Sequence, residues 1–211
     1  MANLTFEKAL KEKGFELVGG VDEAGRGPLA GPVVAAAVIL KSSAFNTRID
    51  DSKLLSPRQR EKAYLEITQA GFVGLGVVGE DIIDTHNILI ATNMAMQKAI
   101  FSCVSSLKNK LEDKTKLYFL VDGANMRLDI PYAFRCITKG DSKSLSIAAA
   151  SIIAKVSRDR MMEAYDKTYP LYGFKKHKGY PTKEHILNLR KFGASRLHRK
   201  TFFPVSEVIN K

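Results

Sequence analysis

The chain has 211 residues, of which 45% are hydrophobic and 26% are charged, so it is long enough for one substantial core. Its 33 Lys and Arg residues outnumber 22 Asp and Glu residues, and the net charge of +11 favours a polyanionic partner over a ribosome-associated or membrane-surface role. It contains no signal-peptide segment and no apolar run approaching about 18 residues, so we expect a cytoplasmic protein with no membrane partner.

The chain then alternates between strand and helix patterns. A short helix is predicted at 5–13, and strands at 16–22 and 32–40 surround a glycine-rich turn. Ser56 precedes Pro57 and is followed three residues later by Gln59, which predicts a capped helix start. The later predicted elements are a strand at 72–79, a helix at about 84–108 with Ile88, Ala91, Ala95 and Ala99 on one face, strands at 117–122 and 133–138, and helices at about 143–168 and 182–192.

This order of elements predicts the fold class. Strands are concentrated early, helices lie between them, and helices dominate the last third, which is typical of an α/β domain with a mixed central sheet flanked by helices. We expect one domain over residues 1–211, with about 165–211 forming a C-terminal helical extension. Cys103 and Cys136 lie far apart in apolar surroundings and are interpreted as buried free thiols.

The turn at 19–32 is the most informative segment. Asp22 and Glu23 leave an apolar strand and are followed at once by Gly25-Arg26-Gly27. Carboxylates are preferred ligands of Mg²⁺, and an arginine between glycines offers a guanidinium fork to phosphate. The alternative is a polar pair that closes a strand. Because successive strand side chains point to opposite faces, both carboxylates can reach one site only if the strand breaks there, which Gly25 favours.

Other carboxylates follow strands further along the chain. Asp122 ends an apolar strand, although Asp-Gly is also a common turn, and Asp141 precedes a helix, where it could serve as a cap. Asp159 competes for the fourth position. On one continuous helix over 143–160 it would lie about 27 Å from Asp141, too far to share a metal pair, and an ion pair with Lys155 is its alternative role. We favour Asp141.

Basic residues supply candidate substrate contacts. Lys53 precedes a helix rich in Arg and Lys, and residues 172–180 interleave lysines with aromatics, a mixture suited to nucleic acid. The alternative is a solvated loop whose aromatics pack inward. P-loop, G-x-S-x-G, H-E-x-x-H and zinc-ligand patterns are absent, which excludes the corresponding enzyme families.

The chain resembles the ribonuclease HII family, the type 2 ribonucleases H. The resemblance runs in the family's order over roughly residues 17–205, and the first and last matching segments are highly specific. The segments are Gly20-Val-Asp-Glu-Ala-Gly-Arg-Gly-Pro, Asp51-Ser-Lys-Leu-Leu-Ser, Val121-Asp-Gly, Lys139-Gly-Asp-Ser, Ala150-Ser-Ile-Ile-Ala-Lys-Val and His177-Lys-Gly-Tyr-Pro-Thr.

The resemblance implies an RNase H-like fold and a metal-dependent endonuclease. Its substrates would be the RNA strand of RNA–DNA hybrids and single ribonucleotides in duplex DNA, cut on the 5′ side to leave 3′-hydroxyl and 5′-phosphate ends. Four acidic residues would hold a pair of Mg²⁺ or Mn²⁺ ions. A glycine-flanked turn would bind the 2′-OH and the adjacent phosphate. A tyrosine would contact the sugar at the RNA–DNA junction, with Tyr180 the stronger candidate and Tyr172 the weaker one. These residues are Asp22, Glu23, Asp122 and Asp141 for metal and catalysis, and Gly25, Arg26, Gly27, Lys53 and Tyr180 for substrate.

The sister ribonuclease HIII family usually carries an added N-terminal domain and a glutamate at the fourth acidic position. This chain has only about 15 residues before its first predicted strand and has Asp141 at that position, and both points favour ribonuclease HII. Two alternatives remain open at this point. A transposase or junction resolvase would also gather carboxylates on a mixed sheet but would need no ribose. A non-catalytic nucleic-acid-binding module would use the acidic residues structurally. We expect the protein to act as a monomer.

Overall fold

A computed structural model describes residues 2–108 and 113–210. In this part of the chain five strands form one sheet in the order β3-β2-β1-β4-β5. Strand β1 pairs antiparallel with β2 and parallel with β4, so the predicted mixed sheet is confirmed. The strands are β1 (Leu17–Ala24), β2 (Val33–Leu40), β3 (Gly71–Val78), β4 (Leu117–Asp122) and β5 (Ala133–Ile137).

Helices flank the sheet and dominate the last third of the chain, as predicted. The capped start at Ser56 is confirmed, because its hydroxyl accepts from the Gln59 amide while the Gln59 side chain accepts from the Ser56 amide. The helices are α1 (Thr5–Glu12), α2 (Pro57–Ala70), α3 (Glu80–His86), α4 (Ile88–Leu107), α5 (Leu145–Thr168), α6 (Phe174–His177), α7 (Lys183–Phe192) and α8 (Val205–Ile209).

The prediction of one helix over 84–108 is wrong. The helix is interrupted at Asn87, whose φ of +84° lies in the left-handed region that Asn tolerates. Its side chain accepts hydrogen bonds from the Leu89 and Ile90 amides and so caps the start of α4. The helical period alone does not reveal such a break, because the apolar pattern continues across it.

Two main clusters of buried side chains cover the faces of the sheet. One lies between the sheet and α4, where Ala91, Ala95 and Ala99 are fully buried, and the other lies between the sheet, α2 and α5. By length and composition alone α4 could cross a membrane, but its apolar face packs on the sheet as in the core helix of a folded domain. Both cysteines are free as predicted, with Cys103 buried and Cys136 only partly buried.

The C-terminal elements pack against the glycine-rich turn that follows β1. Ala30 lies in a cluster with Met162 of α5 and Phe174 of α6, and Leu29 lies in another with Leu189 of α7 and Val205 of α8. The segment after α5 therefore covers the end of the sheet where β1 leads into the turn. The short helices α6 and α8, with four and five residues, are too brief for periodicity to predict them.

Candidate active site

Three carboxylates meet at the carboxyl end of the central strands. Pairing between the parallel strands β1 and β4 stops at Val21 and Val121, so Asp22 and Asp122 are the next residues on each strand. Asp141 lies in a short 3-10 turn that follows β5. One carboxylate oxygen from each aspartate lies within 4.8 Å of the other two. The sheet topology thus gathers residues that are widely separated in the sequence.

Local hydrogen bonds fix the orientation of these side chains. The Gly140 amide donates to Asp122 Oδ1 at 2.6 Å, and the Glu23 amide donates to Asp22 Oδ1 at 2.8 Å. The Lys53 ammonium lies 3.5 Å from Asp141 Oδ2. Lys53 is mostly exposed and also lies 3.9 Å from Asp51 Oδ1, so its charge only partly balances the group of three carboxylates.

Burial and mutual repulsion raise the pKa of two of the aspartates. The pKa of Asp22 is raised well above its usual value by burial and then by the charges of Glu23 and Asp122. The pKa of Asp141 is raised by burial and then by Asp122. Burial opposes the charge of Lys53, but the surrounding carboxylates outweigh it and raise its pKa. The protein alone therefore leaves an excess of negative charge here.

Glu23 reaches the same cavity from the other face of β1. Its Oε1 lies 3.3 Å from Arg26 Nη1, while its Oε2 is buried without a hydrogen-bond partner, and burial raises its pKa despite the nearby arginine. The expected strand break between Asp22 and Glu23 does not occur, because β1 continues to Ala24. Both side chains nevertheless line the same cavity, at the point where β4 no longer pairs with β1.

A cavity of about 220 Å³ joins the carboxylates to the glycine-rich turn. Gly25, with a φ of +99°, turns the chain at the end of β1. All the predicted site residues except Asp141 line this cavity, together with Ser52, Ser151 and Lys155. Asp141 nevertheless has a carboxylate oxygen within 4.8 Å of those of Asp22 and Asp122.

The two candidate tyrosines lie in different environments. Tyr180 lines the cavity and is 40% exposed, and a Cβ on Gly27 would lie 3.9 Å from its Cε1. Tyr172 is only 6% exposed, stacks on Phe174, and donates its hydroxyl to the Gly193 carbonyl. The structure therefore brings Tyr180 to the carboxylates and leaves Tyr172 in the core of the C-terminal segment.

Asp159 lies outside the group of three carboxylates. Its Oδ1 is 2.7 Å from Lys155 Nζ, the ion pair that the sequence offered as its alternative role. Lys155 and Ser151 line the cavity and are functional candidates that sequence reasoning missed. Their spacing of four residues on one face of α5 is the signal that could have found them.

A family model described as Ribonuclease HII matches residues 19–205. The chain belongs to the ribonuclease HII family. It is 49% identical to the ribonuclease HII of Enterococcus faecalis, over 97% of this chain and 76% of that protein. It is 50% identical to the ribonuclease HII of Acholeplasma laidlawii, over 99% of this chain and 98% of that protein. The resemblance is confirmed, and the protein is a metal-dependent nuclease with ribonuclease H endonuclease activity on RNA–DNA substrates.

Solved structures confirm the RNase H-like fold. Ribonuclease H2 from Pyrococcus horikoshii superposes with a TM-score of 0.70 at 25% identity, covering 92% of this chain and 97% of that one. A ribonuclease HII from Archaeoglobus fulgidus, solved in complex with PCNA, gives a TM-score of 0.58 at 26% identity and covers 83% of this chain and 87% of that one. Bst-RNase HIII, solved with Mn²⁺, gives a TM-score of 0.68 at 15% identity and covers 96% of this chain and 72% of that one. At this identity the match supports the fold alone.

In this ribonuclease HII chain three buried histidines, His177, His185 and His198, pack against one another, and His185 contacts the backbone of Tyr180. The Nδ1 atom of His185 lies 2.9 Å from the Tyr180 carbonyl oxygen, and its Nε2 lies 3.1 Å from His198 Nε2. His198 Nδ1 accepts from the Ser195 amide, and His177 Nδ1 accepts from the Gly179 amide. One neutral tautomer for each ring satisfies all of these bonds, with His185 donating through Nδ1 and His198 through Nε2.

Protonation of this histidine group should destabilise the fold. Burial is the main cause that lowers the pKa of both His185 and His198 to about 4, and charge on the neighbouring histidines lowers it further. Since an unfolded histidine has a pKa of about 6.5, the unfolded chain binds protons that the folded chain excludes as the pH falls below that value. The contribution of the neutral His185 and His198 side chains to the free energy of unfolding is therefore complete above about pH 6.5 and is lost as the pH falls towards 4.

We expect the free-energy advantage of the wild type over a His198→Gln variant to shrink by about 1.4 kcal/mol between pH 7.5 and pH 5.5. Urea unfolding at the two pH values measures the difference and removes contributions that both proteins share. His86 is exposed, so His86→Gln is the matched control and should show no such change. A difference in free energy of unfolding between the wild type and His198→Gln that stays constant between pH 7.5 and pH 5.5 would contradict the presence of a buried group of neutral histidines.

Proposed function

We propose that this chain hydrolyses the RNA strand of RNA–DNA hybrids and incises duplex DNA on the 5′ side of single ribonucleotides. The products would carry 3′-hydroxyl and 5′-phosphate ends. The observation that supports this most is the single cavity that joins the carboxylates to the Gly25-Arg26-Gly27 turn and Tyr180. We further propose that the protein acts in the cytoplasm as a monomer.

The residues of the cavity are suited to hard divalent cations. Three carboxylate oxygens converge, burial and then repulsion between neighbouring carboxylates raise the pKa of Asp22 and Asp141, and the buried Glu23 Oε2 lacks a partner. A divalent cation would relieve that repulsion and supply the missing partner. We therefore assign Asp22, Asp122 and Asp141 as ligands, with Glu23 contributing from the other side, and Mg²⁺ or Mn²⁺ as the ion. Two such ions, when bound, serve to activate water for in-line attack and to stabilise the leaving 3′ oxygen.

The remaining residues would bind and orient the substrate. Arg26 is half exposed beside the carboxylates and offers two or more N–H groups to the phosphate next to the ribose. The backbone of Gly27 can approach the 2′-hydroxyl closely because this residue carries no side chain, while Gly25, whose missing side chain leaves room for Arg158 of α5, turns the chain towards the cavity. Lys53 and Lys155 add positive charge at the cavity wall, where the sugar–phosphate backbone would lie. Recognition of sugar and backbone alone would make cleavage independent of base sequence.

Tyr180 is expected to contribute through its ring. A Tyr180→Ala substitution should lower kcat/KM on a duplex with one ribonucleotide by about 5-fold to 100-fold, the range for loss of a stacking contact. Tyr180→Phe keeps the ring and should retain most of the activity. Tyr172→Phe changes a tyrosine outside the cavity and is the control that should behave as wild type. A larger loss in Tyr172→Phe than in Tyr180→Ala would contradict this assignment.

Mapping the products tests the proposed reaction. A labelled duplex with one internal ribonucleotide and an RNA–DNA hybrid would be incubated with Mg²⁺ and, separately, with Mn²⁺. We expect one incision on the 5′ side of the ribonucleotide, and the new 3′ end should be extended by a polymerase without prior treatment. Products that end in a 2′,3′-cyclic phosphate would instead indicate attack by the 2′-hydroxyl and would overturn the proposed mechanism.

A further inference from the structure

Two arginines are buried beneath the glycine-rich turn. Arg158 of α5 is 1% exposed and Arg199, which follows α7, is fully buried. Among the ion pairs of the described residues, neither guanidinium lies within 4 Å of a carboxylate. Burial of a charged group without an ion-pair partner is costly, so its N–H groups must be satisfied in another way.

Backbone carbonyl groups satisfy both guanidinium groups. Arg199 spans the turn from its start to its end, and Arg158 joins the end of the turn to the residue two positions before Tyr180. The acceptors are the carbonyls of Gly25, Arg26 and Gly31 for Arg199, and those of Ala30, Pro32 and Lys178 for Arg158, at distances of 2.5–3.0 Å.

The turn is shaped around these side chains. A Cβ on Gly25 would lie 2.1 Å from Arg158 Nε, so only glycine leaves room for the guanidinium at this position. The Arg158 guanidinium carbon also lies 6.0 Å from the centre of the Tyr180 ring. The turn and the Tyr180 segment are joined directly as well, because the Leu29 amide donates to the Gly179 carbonyl at 2.8 Å. The arginines therefore contact both segments that border the cavity.

We propose that Arg158 and Arg199 are positioning residues that hold the Gly25-Arg26-Gly27 turn in register with Asp22 and Tyr180. This inference rests on the proposed recognition of ribose and phosphate by that turn. A guanidinium is suited to the role because its planar set of donors can reach several carbonyls in one fixed geometry, whereas the lysine ammonium cannot. The two charges also lie directly behind the segment that would bind phosphate. The pKa of Arg199 is lowered to about 9, chiefly by burial and then by Arg158, so it remains charged at neutral pH.

Conservative variants test this role. In Arg158→Lys and Arg199→Lys, kcat/KM on a duplex with one ribonucleotide should fall about 10-fold to 100-fold, as expected when reacting groups are slightly misplaced. The Mn²⁺ dissociation constant, measured by calorimetry without substrate, should change less than twofold. Amide hydrogen exchange should become faster at residues 25–32 and 178–180 and stay unchanged in β1–β4. Arg160→Lys, on the same helix but exposed and paired with Glu61, is the matched control.

Two outcomes would overturn the proposal. One is activity in both variants equal to that of Arg160→Lys, and the other is uniform loss of exchange protection across the whole chain, which would indicate a merely structural role. If neither variant folds, amide hydrogen exchange of the wild-type protein tests the proposal instead. A turn held by the two arginines should keep the Leu29 and Gly31 amides exchanging as slowly as the amides of β2. Rapid exchange there would overturn the proposal. Failure of the proposed function is distinguished by the wild type itself, which would then show no preference for the ribonucleotide.

Discussion

The Asp22→Asn variant is expected to lose hydrolysis of ribonucleotide-containing duplexes by about a thousandfold while it still binds them. Asp22 is buried, lies within 4.8 Å of the Asp122 and Asp141 carboxylates, and would be the central ligand for a divalent cation. The amide keeps the size of the side chain but removes the charge. Because repulsion of substrate phosphate also decreases, duplex binding in the absence of divalent ions should be equal to that of the wild type or tighter.

The same variant should be more stable than the wild type in the absence of divalent ions. Burial and the neighbouring charges of Glu23 and Asp122 make the ionised Asp22 unfavourable, so the neutral amide should raise the free energy of unfolding. The Tm of the variant should therefore be higher than that of the wild type. Addition of Mg²⁺ or Mn²⁺ should raise the Tm of the wild type and have a much smaller effect on the variant.

Single-turnover cleavage, duplex binding and thermal unfolding measure these effects. Asp129→Asn changes an exposed aspartate that does not line the cavity, and this control should match the wild type in all three measurements. Retention of more than a tenth of the cleavage rate by Asp22→Asn would contradict the assignment of Asp22 as a ligand. Loss of duplex binding together with cleavage would favour a structural role for the acidic residue.

Gly20→Ala is expected to destabilise the whole fold. A Cβ at this position of β1 would lie 2.1 Å from the Ser146 carbonyl carbon and 2.2 Å from the Ile147 amide nitrogen, both backbone atoms of α5. Backbone atoms cannot rotate away, so α5 must move off the sheet, with loss of packing on both sides of the contact. We expect a loss of about 3 kcal/mol in the free energy of unfolding and a fall in Tm of about 6–12 °C.

Gly27→Ala is the matched comparison for this glycine. Gly27 does not have a positive φ, and the nearest atom to a Cβ at this position would be Tyr180 Cε1 at 3.9 Å. Its free energy of unfolding should therefore stay within about 0.5 kcal/mol of the wild type. Its kcat/KM on the ribonucleotide substrate should fall, because the added methyl group enters the proposed sugar-binding surface. Equal stability of Gly20→Ala and Gly27→Ala would contradict the close contact between β1 and α5.

The sequence predicts the features that depend on local patterns. Apolar runs before Asp22 and Asp122 indicate buried strands, and the parallel pairing of β1 with β4 ends just before these two residues, at one edge of the sheet. Ser56 and Gln59 form the predicted capping box because that motif is entirely local. Distance along one helix favours Asp141 over Asp159, and the structure does bring Asp141 to the other two aspartates.

Features that depend on packing are not predictable in this way. The left-handed Asn87 interrupts an apolar pattern that is typical of one helix, and the end of β1 lies two residues beyond its predicted position. Arg158 and Arg199 are indistinguishable in sequence from surface basic residues, because their acceptors are backbone carbonyls that any residue could supply. Tyr172 and Tyr180 share one basic and aromatic segment, and only the tertiary packing separates the buried ring from the exposed one.

The requirement for a 2′-hydroxyl beside the acidic cavity can be measured directly. Initial rates would be compared on three duplexes that are identical except at one nucleotide, which carries ribose, deoxyribose or 2′-O-methylribose, each with and without Mg²⁺. We predict rapid incision of the ribose duplex only, dependent on Mg²⁺, and no detectable incision of the other two. Comparable incision of the deoxyribose duplex would contradict recognition of ribose by the Gly25-Arg26-Gly27 turn and would favour a DNA endonuclease of the same fold.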